Sequence, residues 1–138
     1  MKFKTLNGKE RGINIHNYII DWDGDSLSKS QFKVKQFLKH YWIGHIVLEE
    51  LTLVGTRLRF DFFNVTRSIA IEYQGQQHQN YIPYFCNNSR SKYLDQIKRD
   101  VKKQEWCNIN NILLIEIYPK DIDALSPEWF EEKYQISL

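Results

Sequence analysis

Two short stretches decide the fold: Leu58-Arg59-Phe60-Asp61-Phe62-Phe63 and Ile69-Ala70-Ile71-Glu72-Tyr73-Gln74, joined by five residues. Both are rich in β-branched and aromatic residues and each is the length of one strand. Side chains alternate across a strand, so Leu58, Phe60 and Phe62 share one face, and Arg59, Asp61 and Phe63 the other. By the same rule Ile69, Ile71 and Tyr73 separate from Ala70, Glu72 and Gln74. A one-residue slip of such a hairpin exchanges its faces, so the register follows from matching Phe62 with Ile71 and Phe60 with Tyr73. That register sets Asp61 opposite Glu72.

Carboxylates opposite each other have β-carbons ~5 Å apart and destabilise a sheet by up to ~1 kcal/mol. A divalent cation with oxygen ligands, such as Mg2+, removes the repulsion and keeps room for water and phosphate oxygens. Asp61 and Glu72 are therefore a candidate metal pair. The alternative is a set of ion pairs, Asp61 with Arg57 or Arg59 and Glu72 with a lysine of the next helix.

Outward from the hairpin, Ser28 followed by Gln31 has the form of a capping box, and Phe32, Phe37, Leu38 and Tyr41 recur at helical spacing, which predicts a first helix ending near Trp42. His45 to Val54 reads as a strand closed by a turn at Gly55. Arg90 to Asn108 predicts a second helix with an apolar stripe of Leu94, Ile97 and Val101. Ile112 to Tyr118 reads as a buried strand, and Pro127-Glu128-Trp129-Phe130 starts a last short helix. The expected class is α/β (α+β), in the order α-β-β-β-α-β, with a four-stranded mixed sheet flanked by helices. Residues 1–27 show no sustained period and are expected as an irregular arm; 28–118 form the core and 119–138 a C-terminal helix. Asp21-Trp22-Asp23-Gly24-Asp25 resembles the start of a calcium loop, but position twelve is Phe32 rather than glutamate, so a solvated turn is expected.

The 138 residues, 42% hydrophobic and 26% charged, fit one soluble domain and exclude disordered and collagen-like classes. No apolar run approaches the ~20 residues of a membrane span. Met1-Lys2-Phe3-Lys4-Thr5 lacks a signal-peptide core, so no membrane partner and a cytoplasmic location, in a bacterium or a phage-infected host, are expected. Cys86 and Cys107 are too few for a disulfide framework and are expected as reduced thiols. The net charge of +2 is only mildly basic, but Arg90 to Lys103 holds six basic residues against two acidic ones.

The two strands, together with Gly75-Gln76-Gln77-His78, Gln96-Ile97-Lys98-Arg99-Asp100 and Ile112-Leu113-Leu114-Ile115-Glu116-Ile117, resemble the PD-(D/E)XK nuclease superfamily. More narrowly, they resemble its phage and homing-endonuclease branch, related to the very-short-patch-repair endonuclease. The resemblance covers about residues 28–118 and implies a restriction-endonuclease-like fold. It implies Asp61 as the motif aspartate and Glu72 as the second metal-binding acid, with Gln74 where the family usually has lysine. It also implies catalytic roles for His78 and Asp100, with Lys98 and Lys102 as the nearest substitutes for the lysine, and it places Gln31 where a ligand glutamate often stands. The cofactor implied is Mg2+, with Mn2+ as a substitute.

Phosphodiester hydrolysis needs charge stabilisation, a deprotonated water and a protonated leaving oxygen. The expected activity is thus metal-dependent DNA endonuclease cleavage of the homing or mismatch-nicking type. The rivals are a Holliday-junction-resolving endonuclease acting as a homodimer on branched DNA, and a non-catalytic nucleic-acid-binding module, a reading motivated by Gln74 and Gln31. Arg90, Lys92, Arg99 and Lys103 are the expected DNA contacts, and Tyr81, Tyr84 and Phe85 suit base stacking.

Overall fold

The computed structural model describes residues 1–75 and 90–138; His78, Cys86, Tyr81, Tyr84 and Phe85 lie outside them. A hairpin of β1 (Lys2–Lys4) and β2 (Glu10–Gly12) precedes α1 (Lys29–Trp42), β3 (Val47–Thr52), β4 (Arg59–Asn64) and β5 (Ile69–Tyr73). Then follow α2 (Arg90–Ile109), β6 (Leu113–Ile117) and α3 (Pro127–Tyr134). The main sheet has the order β3-β4-β5-β6, antiparallel except for the parallel β5–β6 pair. Mixed α/β architecture, a four-stranded mixed sheet and the expected α-β-β-β-α-β order are all present. Phe62 pairs with Ile71, as the hydrophobic match requires.

Each face of the sheet carries its own core. On one, Val34, Leu38 and Trp42 of α1 and Phe130 of α3 cover Val47, Phe62, Ile71 and Ile115. On the other, Trp106 and Cys107 of α2 pack with Phe3, Leu48, Phe60, Phe63 and Leu114. Cys107 is a free, buried thiol. Ser28 caps α1 by accepting the Gln31 amide at 3.1 Å, while the Gln31 side chain turns to the sheet instead of completing the capping box. The Asp21 to Asp25 segment is a turn tied to α1, with Lys39 on Asp23 at 2.8 Å and Lys35 on the Gly24 carbonyl at 2.9 Å.

Three expectations need correction. Phe60 and Phe62 do not share a face: they enter different cores. Alternation breaks at Asp61 and, in step, at Glu50 of β3, whose φ of 55° is left-handed. Glu49 pairs with Phe62 and Leu51 with Phe60, so the two strands kink together and keep register. Second, Leu94, Ile97 and Val101 are not core; they are 42%, 39% and 50% exposed. At 20 residues α2 is ~30 Å long, nearly twice the ~17 Å of a five-residue strand, and only its C-terminal end beds on the sheet, through Trp106 and Cys107. Third, residues 1–27 are not an irregular arm. Phe3 is buried with ring centroids 5.2 Å from Trp106 and 5.8 Å from Phe63, and the Asn110 side chain clamps both the N–H and the C=O of Lys4 at 2.7 and 2.9 Å.

Gly55 is where the hairpin meets the main sheet. Its φ is +82°, and a β-carbon there would lie 3.0 Å from Thr5 Cγ2 and 3.1 Å from Thr5 Cβ. An L-residue in this conformation costs roughly 1–2 kcal/mol before any clash. Gly55→Ala is expected to destabilise by at least that amount in denaturant titration; an unchanged midpoint would refute the close approach.

Candidate functional site

The site forms where β4 and β5 diverge. Their ladder runs through Phe62–Ile71, and at the next position the Asp61 carboxylate accepts the Tyr73 amide at 2.7 Å. Asp61 and Glu72 are thus neighbours, but a side chain takes over from the backbone pairing and the ladder ends before the expected Phe60–Tyr73 match. Glu72 and Gln74 alternate with Tyr73 and are both buried, with 4% of each exposed. From α2, Gln96, Arg99, Asp100 and Lys103 fall at spacings of three, four and seven residues, hence on one helical face that turns toward Glu72. This face is centred about 140° around the helix from the Leu94, Ile97 and Val101 stripe.

Lys103, expected as a solvent-facing DNA contact, points inward. Its Nζ lies 2.9 Å from Glu72 Oε1, with side-chain exposures of 16% and 6%. Lys98 and Lys102, the expected lysine substitutes, are exposed and do not line the site. Asp100 does line it; Arg90 and Lys92 are exposed at the start of α2. Two adjoining cavities, about 210 and 380 Å3, share Leu58, Arg99 and Lys103. The first reaches Glu72 and Gln74; the second reaches Asp61 and Glu50 beside Arg57 and Arg59. Neither Arg57 nor Arg99 has an ion-pair partner among the described residues.

Glu50 is the residue that sequence reasoning missed. It sits across from Asp61 in the β3–β4 register, takes a 2.8 Å hydrogen bond from Gln31 Nε2 and lies 3.8 Å from Arg59. Its signal was the strand position, readable only once the β3–β4 pairing is known. Among the described residues no three His, Cys, Asp or Glu side chains converge as a metal-holding cluster. What the fold offers a hard cation is the oxygen pair of Asp61 and Glu72, with water and phosphate oxygens left to complete a coordination sphere.

Burial pushes the Asp61 carboxyl up to about 6, helped by Glu50 and opposed by the Tyr73 amide, Lys103 and Arg59. Burial, then Asp61, raises Glu72 as well, against Lys103. Half-buried Asp61 and buried Glu72 thus share one close cation, Lys103, with Arg59 acting on Asp61 as well. A proton bound more tightly in the folded than in the unfolded chain makes stability fall as pH rises. The pair's contribution to the stability of the metal-free protein is therefore expected to be fully present at acid pH and to be lost as pH rises from about 4 through about 8. Asp61→Asn should flatten that loss in melts recorded across pH; an identical pH dependence in the variant would show that Asp61 is not the group responsible.

No family profile matches the chain, and no solved structure matches it. It is similar to uncharacterised viral proteins. These include protein 307L of Invertebrate iridescent virus 6, 37% identical over 60 residues, which is 44% of this chain and 30% of the relative. Protein 033L of Invertebrate iridescent virus 3 is 34% identical over 65 residues, 47% of this chain and 33% of the relative. Protein 094L of Frog virus 3 is 36% identical over 72 residues, 51% and 46% respectively. Each match covers less than half the length of the curated relative. No helix among the described residues is long and apolar enough to cross a membrane.

Proposed function

We propose that the chain is a metal-dependent DNA endonuclease with a restriction-endonuclease-like core. The observation that carries this reading is the pair of half-buried Asp61 and buried Glu72, with Lys103 as the cation ion-paired to it, beside a cleft bordered by Arg57, Arg59 and Arg99. The order α1-β3-β4-β5-α2-β6 agrees with the expected core. Asp61 and Glu72 would hold Mg2+, which when bound supplies Lewis-acid charge stabilisation and a more acidic water. The chain's own contributions are distinct. The Tyr73 amide fixes one Asp61 oxygen and Lys103 one Glu72 oxygen, and among the described residues the second oxygen of each is left to act as a ligand. Arg57 and Arg99, without ion-pair partners among the described residues, offer guanidinium groups to phosphate oxygens. Gln74 cannot change protonation state, so the ammonium of Lys103 is the cation nearest the acids in the position a catalytic lysine would serve.

A second reading has one observation in its favour. The 2.9 Å Lys103–Glu72 pair already neutralises one acid without metal, as a non-catalytic DNA-binding descendant would require. Incubating the protein with supercoiled plasmid and with a four-way junction, in Mg2+ or EDTA, separates the readings. Nicked or linear plasmid only with Mg2+ supports the nuclease, and preferential junction cleavage selects the resolving enzyme. DNA binding with neither substrate cut in Mg2+ or Mn2+ would leave the binding module.

A further inference from the structure

We propose that the N-terminal β-hairpin is a second docking surface for the phosphate backbone of DNA, continuous with the candidate site through the β3–β4 turn. This rests on DNA being the partner, and extends that reading to a part of the chain outside the nuclease-like core. Residues 2–12 carry Lys2, Lys4, Lys9 and Arg11 against one acid, Glu10, so this short segment holds more net positive charge than the whole chain's +2. All four cations are exposed, and none has an ion-pair partner among the described residues. Elsewhere five cations are paired among the described residues: Lys35 with Glu49, Lys39 with Asp23, Arg59 with Glu50, Lys103 with Glu72 and Lys133 with Asp121.

Packing does not call for this charge. Phe3 is the residue that anchors β1, and the Asn110 clamp acts on the backbone of Lys4, not on its side chain. Those anchors, with Gly55 against Thr5, fix the hairpin backbone to the main sheet, so the strands that carry the cations are in place before any ligand arrives. A cavity of about 560 Å3 lies between the hairpin and the turn, lined among others by Lys9, Arg11 and Gly55. Two residues beyond Gly55, Arg57 borders the cavity that holds Asp61. Exposed cations strung from Lys9 and Arg11 to Arg57 match a polymer with one charge per ~1.7 Å of duplex axis better than a compact anion, which would need an enclosed polar pocket.

The test uses the full chain and a fluorescent duplex in EDTA, with affinity measured across salt concentrations so that no turnover is required. Lys9→Ala/Arg11→Ala should lower the slope of log affinity against log salt by about one unit for each phosphate no longer neutralised. Lys2→Ala/Lys4→Ala, on the other strand, gives an independent reading, and the charge-keeping Lys9→Arg/Arg11→Lys should retain the wild-type slope. Unchanged slopes in both alanine pairs would overturn the proposal, as would a reduced slope in the charge-keeping variant. Weakened binding to phosphatidylserine vesicles with DNA slopes intact would assign the surface to membranes and overturn it too. A wild type that binds with a hairpin-dependent slope but never cuts DNA removes the nuclease reading alone; cutting with an unchanged slope removes the hairpin alone.

Discussion

Asp61→Ala is expected to lower Mg2+-dependent plasmid cleavage at least about a thousandfold, and Glu72→Ala to do the same. Charge stabilisation by a bound metal contributes several kcal/mol to a transition state, and ~4 kcal/mol corresponds to about three powers of ten in rate. The two losses should not add, because either substitution removes the same two-carboxylate site. Stability should move differently from activity. In EDTA, Asp61→Asn relieves repulsion with Glu72 and Glu50 while its side-chain oxygen still accepts the Tyr73 amide, so the metal-free protein should melt no lower than wild type at neutral pH. Mg2+ should then raise the melting temperature of wild type alone, since a ligand bound only by the folded state adds RT ln(1 + [L]/Kd). Wild-type rates in either alanine variant would dismantle the site, and melts unmoved by Mg2+ would favour the binding module.

The largest stability effect is expected away from the cleft. Lys35 of α1 is fully buried, and its ammonium meets Glu49 at 3.0 Å and the Gly24 carbonyl at 2.9 Å. Glu49→Ala would leave that ammonium with one neutral acceptor in a low-dielectric environment. Breaking a buried pair from one side costs about 3–5 kcal/mol; because Glu49 is itself 20% exposed, the lower end applies. In a chain of 138 residues a loss of about 3 kcal/mol lowers the melting temperature by roughly 10 °C. Lys35→Met should cost much less, since it removes the buried charge and keeps most of the side-chain volume while Glu49 turns to water. If Glu49→Ala melts within a degree or two of wild type, or Lys35→Met is the worse variant, the pair does not hold α1 to the Asp21 to Asp25 turn.

Periodicity was sufficient for much of the frame. β-branched and aromatic composition identified the β4–β5 hairpin, and the apolar match of Phe62 with Ile71 holds because both enter the same core. Ser28 and Pro127 marked helix starts through local hydrogen bonding and a fixed backbone angle, which neighbours in sequence decide. Asp61 and Glu72 were legible as neighbours because they follow directly on the Phe62–Ile71 pair, although a side-chain hydrogen bond rather than the ladder joins the strands there.

What lay beyond the sequence depends on packing between distant segments. The kinks at Glu50 and Asp61 break the alternation that pattern reading assumes, and they bring Glu50 beside Asp61 only when β3 and β4 are paired. The apolar stripe of α2 pointed to the wrong face. Leu94, Ile97 and Val101 set the local period, but Trp106 and Cys107 at the far end decide which side meets the sheet, because burying a large aromatic outweighs leaving scattered aliphatic residues half exposed. That rotation carries Lys103 inward to Glu72 and leaves Lys98 and Lys102 in solvent. The strands of the N-terminal hairpin, three residues each, are too short for a period to register, and Phe3 is held by Trp106 more than a hundred positions away. By itself, then, the chain's sequence determined the elements from α1 to α3, their order and the neighbouring carboxylates, products of local periodicity and strand pairing. Only the tertiary structure decided which helical face and which terminal segment join them, because those choices are set by packing energy between residues that no sequence spacing relates.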